Sequence, residues 1–375
     1  MHTIKKILIA PDSFKGSISA GEAADAIRRG LQKNPAVAPD ATLLTTPIAD
    51  GGEGTLEALV SPKSTYTATV TGTGGDKTNA AYGYIGKTAI IEMARAAGLT
   101  LVPEEKRNAA TATTYGVGEL IAAALNRGFR DILLTAGGSG TNDGGCGMLA
   151  ALGASFTDKS GRNFVPTGGT LDRICAIDLS GLDPRLAACT VTVATDVKNP
   201  LLGPEGATYV YARQKGADET ALSKMEAGMK HYAALIQQRC GRDVAIIPGC
   251  GAGGGIATPL LAFCGATIRS GIDAVLDAVS FTSLLHGADA VITGEGKIDR
   301  QSLYGKAISG VAQAAAAQGI PVYVLVGCIG DDKQALMDMG LTDIHAIGDI
   351  APSSAYSMTH AGELLEQVAA QMTFD

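Results

Sequence analysis

ILLTAGGSGTNDGGCGMLAAL, residues 132–152, places a glycine-rich loop between two apolar runs. The first run, residues 132–136, predicts a buried strand, and the second, residues 146–152, predicts the start of a helix. Five glycines in the loop at residues 137–145 allow backbone N–H groups to face a ligand. The helix N-terminus behind the loop favours an anion such as phosphate. Asp143 would repel that anion unless it holds a metal ion or accepts a proton, so the combination indicates phosphoryl transfer.

Both ends of the chain alternate strand, polar loop and helix in the same way. The predicted strands are residues 6–10, 41–47, 288–292 and 322–326. The predicted helices among them are residues 19–33, 306–318 and 361–372, with another starting at Thr55. This alternation is typical of parallel strands whose loops gather at the carboxyl edge of the sheet, where ligands bind.

The middle of the chain has a different pattern. From residue 66, short alternating runs at residues 67–71, 80–85 and 88–93 predict strands around glycine turns. We therefore predict an α/β protein of two domains. A parallel-sheet domain, flavodoxin-like or Rossmann-like, takes residues 1–65 and 287–375, and a mixed α/β domain is inserted at residues 66–286.

Composition narrows the class of protein. The chain has 375 residues, 46% of them hydrophobic, with a net charge of −7 and no tryptophan. No basic stripe with interleaved aromatic residues is present, which argues against nucleic-acid binding. Seven scattered cysteines without CxxC spacing favour reduced thiols. The N-terminus predicts a strand and not a signal peptide, and no apolar run is long enough for a membrane span, so we expect a cytoplasmic protein.

Two loops near the N-terminus combine glycine with charged residues. In PDSFKGS, residues 11–17, Asp12 could be a ligand, a base or a helix cap, and Lys15 could neutralise phosphate. The alternative is an Asx-turn with a solvated lysine. In DGGEG, residues 50–54, Asp50 and Glu53 either contribute to a site or cap the next helix.

Two later loops follow the same plan. TGEGKIDR, residues 293–300, offers two acids and two bases that would suit phosphate and metal together, or form a solvated loop. Asp196 follows a predicted strand at residues 190–194, where a simple turn at Asn199-Pro200 is the alternative.

GCGAGGG, residues 249–255, formally contains GxGxxG and follows a short predicted strand that ends at Pro248. A dinucleotide fingerprint also needs a second strand with an acidic residue for the ribose, and that part is missing. The segment is a weak dinucleotide signal but suits a glycine loop over nucleotide phosphates.

Several motifs are missing from the sequence. No GxxxxGK[ST] P-loop or GxSxG elbow occurs, and none of the five histidines lies in a glycine loop. Two function classes other than phosphoryl transfer stay open. One is an NAD-dependent hydroxyacid oxidoreductase that uses residues 249–254, and the other is a non-catalytic sensor of hydroxyacids.

Four motifs in order resemble the bacterial glycerate kinase type 1 family. They are IAPDSFKGS at residues 9–17, ADGGEGT at 49–55, GGSGTNDGG at 137–145 and ITGEGKID at 292–299. Asp196 before Asn199-Pro200, and QKGA at residues 214–217, match the same family, so the resemblance runs nearly end to end. It implies ATP-dependent phosphorylation of D-glycerate, giving 2-phosphoglycerate and ADP with Mg²⁺. It also implies an active site in the cleft between two α/β domains.

Phosphoryl transfer needs positioning, charge neutralisation and a base, and we distribute these roles as follows. The predicted catalytic residues are Asp143 and Asp196 as alternative bases, with Lys15 and Asp12. The predicted nucleotide-binding and phosphate-binding residues are Gly137, Gly138, Ser139, Thr141, Asn142, Gly251, Gly253, Gly254, Lys297 and Arg300. The predicted magnesium ligands are Asp50, Glu53, Glu295 and Asp299. The predicted partners are small molecules alone, with the chain a monomer or homodimer.

Overall fold

The computed structural model describes residues 3–299, 307–330, 333–338 and 340–374. The chain divides into two compact units. The parallel-sheet unit comprises Met1–Asp50, Glu57–Leu59 and Gly271–Asp375, and the mixed-sheet unit comprises Gly51–Leu56 and Val60–Ser270. The domain limits expected from the sequence, at residues 65/66 and 286/287, stay a prediction.

The strands and helices of the described residues are numbered in chain order. The strands are β1 Ile4–Pro11, β2 Val37–Thr45, β3 Thr65–Thr71, β4 Lys77–Ile85, β5 Thr88–Glu92, β6 Asp131–Thr135, β7 Ser155–Thr157, β8 Asn163–Phe164, β9 Ala176–Asp178, β10 Thr190–Ala194, β11 Thr267–Arg269, β12 Ala290–Ile298, β13 Val322–Ile329 and β14 Asp343–Ala346. The helices are α1 Ala20–Leu31, α2 Thr55–Leu59, α3 Ala94–Ala97, α4 Tyr115–Asn126, α5 Cys146–Ala151, α6 Ala207–Tyr211, α7 Glu219–Cys240, α8 Ala257–Phe263, α9 Gly271–Ala278, α10 Phe281–Leu285, α11 Ala307–Ala316, α12 Lys333–Met337, α13 Ser354–Thr359 and α14 Ala361–Gln371. None of these helices combines the length and apolar character needed to cross a bilayer.

The parallel-sheet unit is built on a five-stranded sheet of order β14-β13-β12-β1-β2 in which every described pairing is parallel. Strand β1 is buried on both faces because its side chains alternate between two cores. Ile7 and Ile9 pack with α1 and α14, whereas Leu8 packs with α11 on the opposite face. Helix α1 begins at a capping box formed by Ser19 and Glu22. The predicted parallel α/β sheet is therefore confirmed.

The expected loop at residues 293–299 is instead the second half of a strand. β12 continues to Ile298, and Lys297 pairs with Cys328 of β13. Glycine makes this possible, because a Cβ added to Gly294 would lie 1.9 Å from the carbonyl oxygen of Leu325. Since strand residues two apart share a face, Glu295 and Lys297 project on the same side of the sheet.

The mixed-sheet unit contains a six-stranded sheet of order β11-β10-β6-β5-β4-β3. Its first four strands are parallel, and β4 and β3 continue it as an antiparallel ribbon. A small antiparallel sheet, β8-β7-β9, lies in the same unit. Strands β6 and β10 end together, with Thr135 opposite Ala194, so the loops that follow them leave the same edge. The mixed α/β sheet expected from the sequence is confirmed.

The strand expected to end at Pro248 does not form. Residues 243–251 are turns and irregular backbone, and a short 3-10 helix, Ala252–Gly254, follows them. The carbonyl of Ala245 accepts two hydrogen bonds, from the N–H groups of Leu201 and Leu202, but two bonds to one carbonyl do not make a strand ladder. Proline at 248 and a left-handed Gly249 (φ 88°) then interrupt an extended backbone.

Candidate active site

A pocket of about 400 Å³ opens at the carboxyl ends of β1 and β12 in the parallel-sheet unit. It is lined by Asp12, Ser13, Phe14, Lys15, Ser17, Asp50, Glu295, Gly296, Lys297, Asp299, Gly327, Cys328, Ile347, Ser357, Met358 and Ala361. Six of these are charged residues predicted from three separate sequence motifs. The parallel sheet therefore brings them together as the strand order requires. Arg300, predicted to join them, lies outside the described residues.

Carboxylates outnumber cations around this pocket. Its lining holds four acids and two lysines, and the lysine Nζ atoms lie 3.8 Å from Asp50 (Lys15) and 3.4 Å from Asp299 (Lys297). Both lysines are largely exposed, so these ion pairs are weak. The local charge suits a ligand that arrives with a cation.

Asp12 is the buried acid of the pocket, with 7% of its surface exposed. Burial is the largest influence on its carboxyl and raises the pKa to about 7. The hydrogen bond from the Ser13 N–H opposes that rise in pKa, while the nearby charges of Asp50 and Glu295 add to it. A carboxyl with a pKa near 7 can take up or release a proton close to neutral pH.

Glu53 is the one predicted metal ligand that does not line this pocket; it belongs to the mixed-sheet unit and is exposed. A Cβ added to Gly138 would lie 3.2 Å from its Oε2 atom, so Glu53 lies beside the loop at residues 137–145. Gly137 of the same loop packs against Gly52, since a Cβ added to Gly137 would lie 3.2 Å from the Gly52 Cα atom. Within the described ranges, no group of three or more acid, histidine or cysteine side chains is arranged to hold a metal ion by itself.

Asp143 lies inside the mixed-sheet unit and has no exposed surface. Its carboxylate accepts four hydrogen bonds: from the N–H and Oγ1 of Thr114, both at 2.8 Å, and from the N–H groups of Gly145 at 3.0 Å and Gly147 at 3.2 Å. Burial raises the pKa of Asp143, and these hydrogen bonds lower it in part. The geometry fits a residue that anchors the loop to the start of α4 and α5.

The two residues before Asp143 are also buried. Thr141 and Asn142 have no exposed surface, and the Asn142 amide donates to Thr208 Oγ1 at 3.2 Å. Gly138 and Ser139, in contrast, are accessible. Within the predicted phosphate-binding loop, Gly138 and Ser139, which lie near the end of β6, are therefore accessible to a ligand.

Lys215 is a functional candidate that the residue-by-residue prediction left out. Only 2% of it is exposed, and its Nζ atom donates to Ser139 Oγ at 2.8 Å and to the carbonyl of Thr141 at 2.7 Å. Burial lowers the pKa of this lysine to about 7, although the charge of Asp143 opposes that shift. The available signal was a lysine before glycine in QKGA, residues 214–217, but no predicted strand precedes it.

A second pocket, of about 300 Å³, opens beside this lysine. It is lined by Leu99, Ala136, Gly138, Ser139, Val197, Tyr211, Gln214, Lys215, Ala252 and Gly253. Asp196 immediately precedes Val197 in the loop after β10 and is exposed. The structure thus gathers parts of the three predicted loops 137–145, 195–200 and 249–255 around one cavity.

The loop at residues 249–255 packs directly on the loop at 137–145. Gly253, Gly254 and Gly255 have left-handed φ angles of 62°, 71° and 93°, and the Gly254 carbonyl accepts from the Gly144 N–H at 3.0 Å. Gly251 donates its N–H to the Asn199 carbonyl at 3.0 Å. Without a preceding strand, this loop lacks the context of a dinucleotide fingerprint.

Comparison with known proteins places these features in a family. The model of the Glycerate kinase family matches residues 7–374. A glycerate kinase of Bacillus subtilis (strain 168) is 44% identical over 368 residues, which cover 97% of this chain and 96% of the relative. A glycerate 2-kinase of Escherichia coli (strain K12) is 44% identical over 346 residues, covering 91% and 90%. The crystal structure of a protein assigned as glycerate kinase 2 of Salmonella typhimurium LT2 matches with a TM-score of 0.87 and 40% identity, covering 98% of this chain and 97% of that one.

Proposed function

Because the chain belongs to the glycerate kinase family, we propose that it transfers the γ-phosphoryl group of ATP to the 2-hydroxyl of D-glycerate. The products are 2-phosphoglycerate and ADP. The 2-position is supported by the Escherichia coli relative, which is named a glycerate 2-kinase. The observation that carries the proposal is the lining of the 400 Å³ pocket: charged residues from three separate segments, all inside the matched region, meet there.

The parallel-sheet pocket is proposed as the nucleotide site. Its apolar side, formed by Phe14, Ile347, Met358 and Ala361, offers a surface for a purine ring. Its exposed lysines can neutralise phosphate oxygens as point charges. A bare triphosphate would be repelled by the surplus of acids, so the nucleotide is expected to bind with a divalent cation.

Magnesium is commonly held by one or two carboxylates together with substrate phosphates, and the residues present fit that mode. Asp50 and Glu295 line the pocket and lie close enough to Asp12 to raise its pKa, so these carboxylates would hold the ion. When bound, Mg²⁺ neutralises charge on the phosphate oxygens. Asp299 and Glu53 stay proposed ligands on chemical grounds alone.

Asp196 is the acid that we propose as the general base. The glycerate hydroxyl oxygen attacks the γ-phosphorus, its proton passes to the Asp196 carboxylate, and the bond to the bridging oxygen of ADP breaks. Asp196 is exposed at the end of a strand, whereas Asp143 is enclosed by four donors. We therefore assign Asp143 to positioning the loop and not to proton transfer.

The two other function classes have less support. An NAD-dependent oxidoreductase would need a strand before residues 249–254, where this fully described part of the chain forms turns. A sensor of hydroxyacids would not require the acids and lysines that line the larger pocket. We also propose that the enzyme works in the cytoplasm as a monomer or homodimer, which light scattering on the purified protein would resolve.

A coupled assay of ADP release with D-glycerate, ATP and Mg²⁺ tests the proposal. We expect ADP formation that depends on glycerate, and ³¹P NMR of the product that shows phosphate on carbon 2. Hydride exchange with NAD and no ADP would support the oxidoreductase. Binding of glycerate without either reaction would support the sensor, and a phosphate on carbon 3 would overturn the assigned position.

A further inference from the structure

We infer that the 300 Å³ pocket of the mixed-sheet unit is the site for the hydroxy acid, and that the Lys215 ammonium binds its carboxylate. This inference rests on the proposed function, which names glycerate as the acceptor but does not say where its carboxylate binds. It assigns a substrate class to a pocket and a role to a lysine outside the residues predicted from the sequence.

Charge separates the two pockets. Lys215 is the one charged residue among those that line the mixed-sheet pocket, and all of these residues are described. The parallel-sheet pocket, in contrast, presents four acids. A small carboxylate that carries no metal ion is repelled by the acidic lining and attracted by a lone ammonium. A further cavity of the same unit, lined by Lys106 and Arg107, is also basic, but its volume of about 30 Å³ is too small for a hydroxy acid. The pocket beside Lys215 is therefore the one that suits a free hydroxy acid in both charge and size.

The geometry of Lys215 leaves one donor for a ligand. An ammonium has three N–H bonds, and two of them are directed to Ser139 Oγ and the Thr141 carbonyl. No third acceptor for Nζ occurs among the described residues. The two hydrogen bonds also fix the position of Nζ, so little conformational entropy is lost when a carboxylate binds.

The other polar groups of the pocket suit the rest of the molecule. Ser139 and Gln214 can contact hydroxyl groups, and Tyr211 is held in place by its hydrogen bond to Asn199 Oδ1 at 2.8 Å. A volume of about 300 Å³ is at the lower end of the range for small-molecule sites. The pocket thus fits a three-carbon acid with hydroxyl groups.

Burial gives this binding site a measurable signature. Without ligand, Lys215 has a pKa lowered to about 7, and a bound carboxylate would favour the charged form. The charged group that acts on Lys215 is Asp143, which raises the lysine pKa. Tyr211 lines the same pocket, and burial raises the pKa of its phenol. On the remaining side, the backbone of Arg107 packs against Gly216, and the Arg107 guanidinium bonds to the Val102 carbonyl. Above pH 7, glycerate should bind together with a proton.

Isothermal titration calorimetry on the full chain tests whether glycerate binds at Lys215 together with a proton. D-glycerate is titrated at pH 8 in Tris and in HEPES, with a saturating, non-hydrolysable ATP analogue and Mg²⁺ present. Because the two buffers differ in ionisation enthalpy, the difference in heat reports protons taken up. We expect wild-type protein to take up most of one proton for each glycerate bound.

Lys215→Met should weaken glycerate binding by about tenfold or more and abolish the proton uptake, since it removes a charge-assisted hydrogen bond. Affinity for the ATP analogue should stay within about twofold of wild type. Lys224→Met, on the exposed face of α7, is the matched control and should change neither quantity.

Several results would overturn the inference. These are unchanged glycerate affinity in a folded Lys215→Met protein, loss of nucleotide affinity in place of glycerate affinity, and no measurable glycerate binding to wild type. If Lys215→Met does not fold, wild-type proton uptake decides, and its absence refutes the role of Lys215. Glycerate binding with proton uptake but no ADP formation would instead refute the proposed kinase reaction and leave this site standing.

Discussion

Asp143 and Thr114 are joined by two hydrogen bonds on one oxygen: the Oδ2 atom of Asp143 accepts both the N–H and the Oγ1 of Thr114 at 2.8 Å. Thr114 Oγ1 also accepts from the Met148 N–H at 2.9 Å. The pair therefore ties the loop at residues 137–145 to the beginnings of two helices, α4 and α5. A carboxylate held in this way inside the protein is poorly placed to exchange protons with a substrate.

Asp143→Asn should lower stability as well as activity. Both Asp143 oxygens accept backbone N–H groups. In asparagine an NH₂ group replaces one of these oxygens, so at least one buried N–H donor loses its acceptor and meets another donor. We expect a loss of about 1–3 kcal/mol in the free energy of unfolding, the usual penalty for buried polar groups left unpaired. Urea denaturation followed by circular dichroism measures this. An unchanged midpoint with a large loss of turnover would return Asp143 to the role of base.

Asp196→Asn should lower kcat by roughly 10²–10⁴-fold, the range for loss of a general base, with little change in stability. The residue is exposed, so the change in the free energy of unfolding should be within about 0.5 kcal/mol. Steady-state kinetics with glycerate and ATP measures kcat. Asp172→Asn, an exposed acid on a 3-10 helix of the same unit, provides the control. Turnover that survives in Asp196→Asn would remove Asp196 as the base.

Asp12 should make the free protein less stable as the pH rises toward neutral. Its folded-state pKa, about 7, lies above the ordinary value of 3.8, so the native state binds more protons than the unfolded state between these values. The free energy of unfolding then falls from about pH 4 to pH 7 through this group. Asp12→Asn removes the effect, and its stability advantage over wild type should grow across that window to about 4 kcal/mol.

Thermal melts of metal-free protein at pH 4.5 and pH 8 check the behaviour of Asp12→Asn. The same variant should lose activity, because Asp12 is the buried acid of the pocket that we propose binds the nucleotide. Asp40→Asn, an exposed acid on β2, should show no comparable dependence on pH. Equal advantages of Asp12→Asn at the two pH values would contradict the assignment.

Glycine at position 294 should be indispensable to the sheet. An alanine there would place Cβ 1.9 Å from the Leu325 carbonyl oxygen, so β12 and β13 would have to separate. We expect a loss of at least about 3 kcal/mol or no folded protein, comparable to severe overpacking. Gly21→Ala is the control, because Gly21 lies within helix α1 with nothing within 4 Å of an added Cβ. That change should stabilise the protein by roughly 0.5–1 kcal/mol, and equilibrium denaturation compares the two.

Hydrophobic periodicity and glycine loops were sufficient to predict much of the fold. The runs at residues 132–136 and 190–194 predicted β6 and β10 because buried parallel strands are nearly continuous apolar segments. Parallel strands with loops at one edge also explain why Asp12, Glu295 and Lys297, far apart in sequence, line one pocket. In each case a local pattern was enough, since the sheet itself supplies the long-range order.

Other features depend on contacts that no local pattern encodes. The extension of β12 through residues 293–298 requires the close approach of β13, and glycine and charge in that segment favoured a loop. Lys215 is identified as a functional candidate only by its buried hydrogen bond to Ser139, which lies 76 positions earlier in the chain. Asp143 and Asp196 look alike in sequence, and their exposure is what separates the buried Asp143 from the accessible Asp196, which we propose as the base.

The contact between the two glycine loops has a consequence for protein engineering. An added Cβ on Gly254 would lie 2.0 Å from the Thr141 carbonyl, and one on Gly255 would lie 2.8 Å from the Gly144 Cα. Neither loop can therefore be remodelled against an unchanged partner. In a library aimed at new acceptor substrates, or in a chimera between relatives, residues 137–145 and 249–255 should be exchanged together. Variants in which only one of the two loops is exchanged should be mostly insoluble.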